Sequence, residues 1–106
     1  MAKNQSAIKE QSRIMIGEPQ KYKVIMHNDD FTTMEFVVEV LRTVFYKSTE
    51  DAEALMLKVH KEGKAVVGIY SLDSALTKIR KVMQMAHAQG FPFKMTYEPE
   101  DSELPF

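Results

Sequence analysis

The chain has no cysteine, which excludes a disulfide framework, a thiolate zinc site and a cysteine nucleophile. It has only four glycines and no GxxxxGK stretch, so nothing in it resembles a loop that cradles nucleotide phosphates. Neither charge sign dominates. Fourteen basic and fifteen acidic residues leave a formal charge of -1, which gives no broad attraction toward nucleic acid or an anionic membrane. Long hydrophobic runs are missing as well: the longest fall far short of the roughly 20 residues that cross a bilayer, and Met1 to Gln20 lacks the continuous apolar segment of a signal peptide. A cytoplasmic protein held by packing alone is expected. Its 106 residues suffice for one compact domain, and a 44% hydrophobic share beside 27% charged residues is ordinary for a globular fold.

What is present divides the chain into three stretches. Residues 1–20 are polar and aperiodic apart from Ile14, Met15 and Ile16, and read as a flexible tail. Residues 21–98 carry the periodic patterns of a folded core, and 99–106 read as a solvated acidic tail, the acidic end beginning with Glu98. Within the core, Tyr22, Val24 and Met26 alternate with Lys23, Ile25 and His27, as in a strand with one buried face. Asn28, Asp29 and Asp30 favour a turn. Thr32 and Glu35 have the spacing of a capping box, and Val37, Val40, Leu41, Val44 and Phe45 form a helical stripe that ends near Lys47. Ser48 is placed to cap a second helix, with Ala52, Leu55, Met56 and Val59 as its apolar face and Gly63 as its stop. Lys64 to Tyr70, with Val66, Val67, Ile69 and Tyr70, suits a strand, with Gly68 as a point of close packing. Ala75, Leu76, Ile79, Val82, Met83 and Ala86 form a third helical stripe that Gly90 and Pro92 end, and Phe93, Met95 and Tyr97 alternate as a last strand. The order β-α-α-β-α-β predicts an α+β domain, a small sheet packed with three helices.

The stretches that invite a chemical reading are NDDFTTMEF, Asn28 to Phe36, and LMLKVHKEGKA, Leu55 to Ala65. Met56, Val59 and His60 share one helical face, and Met34 and Val37 share another. Two apolar walls would then meet beneath acceptors from Asn28 and Asp29 and the imidazole of His60, a rim suited to a cationic group above an apolar hole. Each piece also has a plainer role: acidic residues make turns, methionines fill cores, and a histidine late in a helix suits its negative end. Catalysis has less support. Asp29 and His60 lack a nucleophile, and His27, His60 and His87 show no metal-ligand spacing, so neither an enzyme nor a metal or other cofactor is expected.

The runs YKVIMHNDDFTTMEFVVEVL and AEALMLKVHKEGKAVVGIY, Tyr22 to Leu41 and Ala52 to Tyr70, resemble the ClpS adaptor family, and the likeness extends over about Tyr22 to Tyr97. The resemblance implies a three-stranded antiparallel sheet with three helices, similar to the C-terminal domain of the ribosomal stalk protein. It implies capture of N-degrons, proteins that begin with Phe, Leu, Trp or Tyr, and their delivery to a Clp ATPase for degradation. On that basis Asn28, Asp29 and His60 bond the ligand's α-amino group. Thr32, Met34, Val37, Met56, Val59 and Phe93 line or frame a side-chain pocket, and Met34 excludes residues branched at Cβ. Asp73 and Lys78 fall where family members touch the N-terminal domain of the ATPase, and the tail before Lys21 is engaged during hand-off. One departure is Phe93, where a smaller aliphatic residue is expected. A translation-associated interaction module of stalk-like fold is the alternative, in which the NDD turn and His60 have no special task.

Overall fold

The computed structural model describes residues 19–101, so of the two expected tails only residues 19, 20 and 99–101 are described, and Ile14, Met15 and Ile16 lie outside. The elements follow the expected order: β1 (Lys21–His27), α1 (Met34–Thr43), α2 (Thr49–Glu62), β2 (Lys64–Ser71), α3 (Leu72–Gln89) and β3 (Lys94–Pro99). β1 lies in the centre of a three-stranded antiparallel sheet of order β2-β1-β3. α3 packs against all three strands, while α1 packs on α2 and α2 on β2.

Local chemistry accounts for most boundaries. The Ser48 side chain accepts from the Asp51 amide and the Ser71 side chain from the Ser74 amide, each satisfying a donor that the first helical turn leaves unpaired. α2 ends at Gly63, whose φ of 92° would strain any other L-residue, and α3 ends at Gly90, also left-handed. The amide of Phe91 donates to Ala86 O and that of Gly90 to His87 O, closing the last turn of α3.

The expected capping box at Thr32 is not formed. Thr33 caps α1, its hydroxyl accepting from the Phe36 amide, because the Thr32 hydroxyl donates to the Asp29 carboxylate instead. Nor does α1 reach Lys47. It stops at Thr43, the chain turns through Tyr46 at φ 57°, and the Lys47 amide donates to Leu41 O. Two further expectations change in the sheet. Ile25, assigned to the open face, is only 3% exposed, because β1 is flanked on both sides and neighbouring strands cover even its outer positions. Pairing also continues through Pro99 opposite Tyr22, and the Glu100 amide donates to Lys21 O, so Glu98 and Pro99 belong to β3 rather than to a frayed end.

The core lies between the sheet and α3 and runs on under α1 and α2. Met26, Leu41, Val24, Val40 and Val82 are its largest fully buried side chains, each contributing on the order of 1.5 to 3 kcal/mol by burial. A bulge between Val24 and Ile25 puts Val24 opposite Gly68. A Cβ at Gly68 would lie 2.6 Å from the Tyr70 hydroxyl, so the expected close approach there is to the Tyr70 ring. Among the described residues no helix is long and apolar enough to cross a membrane.

Candidate binding site

β1 pairs with β2, which follows α2 directly, and one further backbone bond ties the NDD turn to the end of α2. The Asn28 amide donates to Gly63 O at 2.9 Å, and Gly63 is the left-handed residue that stops α2 one turn after His60. Asn28 and His60, 32 positions apart in sequence, are thereby brought to one rim.

The turn itself is built on Asp29. Its Oδ1 accepts from the amides of Phe31 and Thr32 at 2.8 and 2.7 Å, and its Oδ2 accepts from the Thr32 hydroxyl at 2.7 Å. Burial pushes the Asp29 carboxyl up, but these three hydrogen bonds outweigh that effect and hold its pKa below the usual carboxylate value. Asp29 is therefore charged at neutral pH and rigid. Thr32, fixed by the same bonds, leads into Thr33 and the first turn of α1, where Met34 and Val37 face α2.

A cavity of about 220 Å³ opens between these segments. Val37, Val59 and Phe93 form its buried apolar floor, with the Phe93 ring set edge-on to Phe36 at 5.8 Å. Met56 is half-buried in the wall, and Met34, 45% exposed, stands at the opening. Asn28, Asp29, Asp30, Thr32 and His60 supply the polar rim. Among the described residues the side chains of Asn28, Asp30 and His60 have no hydrogen-bond or ion-pair partner, so their polar atoms stay open to a ligand. The volume suits one large side chain rather than a drug-sized molecule.

All nine residues assigned from the sequence to the amine rim and side-chain pocket line this one cavity. Asp30 and His27 line it too and were not anticipated. Asp30 adds a second carboxylate, which adjacency to Asp29 could have signalled. His27 borders the cavity while its Nε2 lies 2.7 Å from Thr96 Oγ1 across the strand pair, and burial followed by the nearby Lys94 and Lys64 charges lowers its pKa, so the imidazole is neutral at pH 7. No group of three or more His, Cys, Asp or Glu side chains among the described residues is arranged to hold a metal ion.

The two residues assigned to a partner lie apart from the cavity. Asp73 is exposed in the first turn of α3. Lys78 is half-buried, and its Nζ donates to Val44 O at 3.1 Å while lying 5.7, 5.1 and 5.3 Å from the ring centroids of Phe45, Tyr46 and Tyr70.

Residues 17–96 match the model of the family described as ATP-dependent Clp protease adaptor protein ClpS. The chain is 46% identical over 104 residues to the Clp protease adapter protein ClpS of Desulforapulum autotrophicum, covering 94% of this chain and all of the relative. It is 48% identical over 93 residues to that of Acetivibrio thermocellus, covering 88% of this chain and 94% of the relative. Among solved structures, ClpS2 of Agrobacterium tumefaciens, bound to L-phenylalaninamide, superposes with a TM-score of 0.75 at 40% identity, covering 78% of this chain and the whole of that one. These relatives are named as adaptors rather than enzymes. With its sequence matched over most of its length and its cavity built on the quoted runs, the chain belongs to the ClpS family of ATP-dependent Clp protease adaptors.

Proposed function

We propose that this Clp protease adaptor selects proteins by a free N-terminal Phe, Leu, Trp or Tyr, works in the cytoplasm, and passes its cargo to a Clp ATPase through the ATPase's N-terminal domain. The observation that carries this reading is the pairing, in one small cavity, of an apolar floor (Val37, Val59, Phe93) with an anionic, hydrogen-bonding rim (Asn28, Asp29, Asp30, His60). Such a site is complementary to a single molecule type: a large apolar side chain on the same carbon as an ammonium group. The ligand of the Agrobacterium relative, an aromatic amino acid with a free amine and an amide in place of its carboxylate, has that composition.

In this reading the ammonium meets the Asn28 carbonyl, the His60 imidazole and the field of Asp29, whose carboxylate is already committed to the turn and acts chiefly through its charge. Asp30 reinforces that field. Thr32 and Met34 frame the entrance, and Val37, Met56, Val59 and Phe93 enclose the side chain. Met34 at the opening crowds a second substituent on the ligand's Cβ, which discriminates against Ile and Val. Burial of a Leu or Phe side chain is worth roughly 1.5 to 3 kcal/mol and each bond to the ammonium about as much, so micromolar affinity is accessible after the cost of association. Asp73 and Lys78 mark the face turned to the ATPase.

Titration with short peptides tests the proposal. Peptides beginning with Phe or Leu should bind, and the same peptides N-acetylated should bind at least about a hundredfold more weakly, since the acetyl group removes the charge and leaves the rim unpaired. Equal binding of free and acetylated peptides would remove the proposed function.

A further inference from the structure

An adaptor needs two surfaces, one for cargo and one for the Clp machine, and the cargo cavity occupies only the Met34 end of α1. About 15 Å away, at a rise of 1.5 Å per residue, the other end of the same helix carries an unusual arrangement. Tyr46 is 79% exposed, the largest exposure among the large hydrophobic side chains of the described residues. It is also the only non-glycine residue among them with a positive φ, at 57°. A tyrosine gains nothing locally from the left-handed region, where glycine or asparagine would sit without strain, nor from a ring held in water.

Lys78 accounts for how the arrangement persists. Its ammonium reaches across from α3 to Val44 O, at the end of α1 where the helix dipole is negative, and lies within 5.1 to 5.7 Å of three ring centroids, Phe45, Tyr46 and Tyr70. Gly68 makes room for the third ring, because a Cβ there would collide with Tyr70. One of the three N–H donors of the ammonium is thus engaged by its own chain, and the rings around it hold the half-buried cation beside Tyr46. The ring it holds outward has the rigid, amphipathic surface that concentrates binding energy at protein interfaces.

We propose that Tyr46 is a contact residue for the Clp ATPase and that Lys78 is a positioning residue, acting on the ATPase through Tyr46 rather than by pairing with it. The inference rests on the reading above that the Asp73–Lys78 face turns to the ATPase, and adds which side chain does the binding. Strain at Tyr46 then persists because it serves the interface.

The test measures affinity of the full chain for its cognate Clp ATPase, alongside thermal melting. Tyr46→Gly relieves the left-handed backbone and removes the ring, so affinity should fall by about tenfold or more while the melting temperature does not drop. Lys78→Met should weaken binding to a similar degree without altering its dependence on salt, Lys78→Arg should restore it, and the Tyr46→Gly/Lys78→Met double variant should bind no worse than Tyr46→Gly alone. Wild-type affinity in Tyr46→Gly, additive losses in the double variant, or a flattened salt dependence in Lys78→Met would each overturn the inference. Failure of the unaltered chain to bind the ATPase would instead remove the docking face itself, and peptide binding at the cavity distinguishes that case from a misfolded protein.

Discussion

At the start of α1, polar side chains are gathered and left open, whereas at its end a charged side chain is gathered and closed. Around the cavity, the side chains of Asn28, Asp30 and His60 have no internal partner among the described residues, while Asp29 and Thr32 are spent on shaping the turn. Around Val44, the Lys78 ammonium is bonded to a backbone carbonyl and flanked by aromatic rings. The contrast teaches what to look for in a small adaptor. In the proposed reading, a rim that receives an ammonium keeps its acceptors hydrated and free beside an apolar floor, which costs little stability because Asn28, Asp30 and His60 are exposed, while a docking face can be internally bonded and present mainly shape.

The largest effect that would break this contrast is at Asp29. Asp29→Ala removes three hydrogen bonds and a charge, so peptides with a free N-terminal Phe should lose at least about thirtyfold in affinity, and urea unfolding should show a loss of about 1 to 3 kcal/mol. Retention of wild-type affinity would mean that the rim's charge is irrelevant to cargo. Next is Met34→Ala, which should open the entrance and raise the affinity of Ile- and Val-initiated peptides by about tenfold with little loss for Phe, since Met34 is half exposed and contributes little to the core. Phe93→Leu should deepen the floor. It should cost about 1 kcal/mol of stability, shift preference from Leu toward Trp by a fewfold in peptide competition, and leave ATPase binding untouched because Phe93 lies at the cavity end only.

The smallest effect is on pH dependence. His27 has a folded pKa below its unfolded value, so its contribution to stability is present above about pH 6.5 and is lost as pH falls through the folded value. Asp29 behaves alike in a lower window: its stabilisation is present above about pH 3.9 and is lost as pH falls through its depressed folded pKa. Melting temperatures measured from pH 7 to pH 5 should therefore fall less steeply in His27→Gln than in the unaltered chain. An identical slope would show that His27 does not titrate across unfolding.

Regular elements and their capping residues were legible because they depend on short-range rules. Ser48, Gly63 and Gly90 act at positions given by local spacing alone, and apolar stripes at helical period identified the buried faces of α1, α2 and α3, except for Met83, which lies at the edge of its stripe and is 37% exposed. Departures occur where a distant residue intervenes. Thr32 has the local spacing of a cap but is taken by Asp29, so Thr33 caps instead. The stripe through Val44 and Phe45 runs beyond the helix that carries most of it, because Lys78 captures Val44 O from 34 residues away and the chain turns at Tyr46. Ile25 alternates like a solvent-facing residue, yet a central strand is walled by two neighbours that no period can foretell. Asn28, Asp29, Met34, Val37, Met56, Val59 and His60 were legible as two helical faces and a turn, whereas Thr32 and Phe93 came only from the resemblance to the ClpS family. Asp30 and His27 were not legible, since lining a cavity depends on how the turn is seated.

By itself the sequence determined the order and type of the elements, the absence of thiol chemistry, and the residues able to make an apolar hole and an anionic rim, since period, capping and side-chain chemistry act within a few residues. Tertiary structure alone decided that these residues meet, through the pairing of β1 with β2 and the bond from Asn28 to Gly63 O, and that Lys78 faces inward while Tyr46 faces out. Those outcomes depend on contacts between segments separated by tens of residues, whose geometry exists only once the sheet and helices have packed.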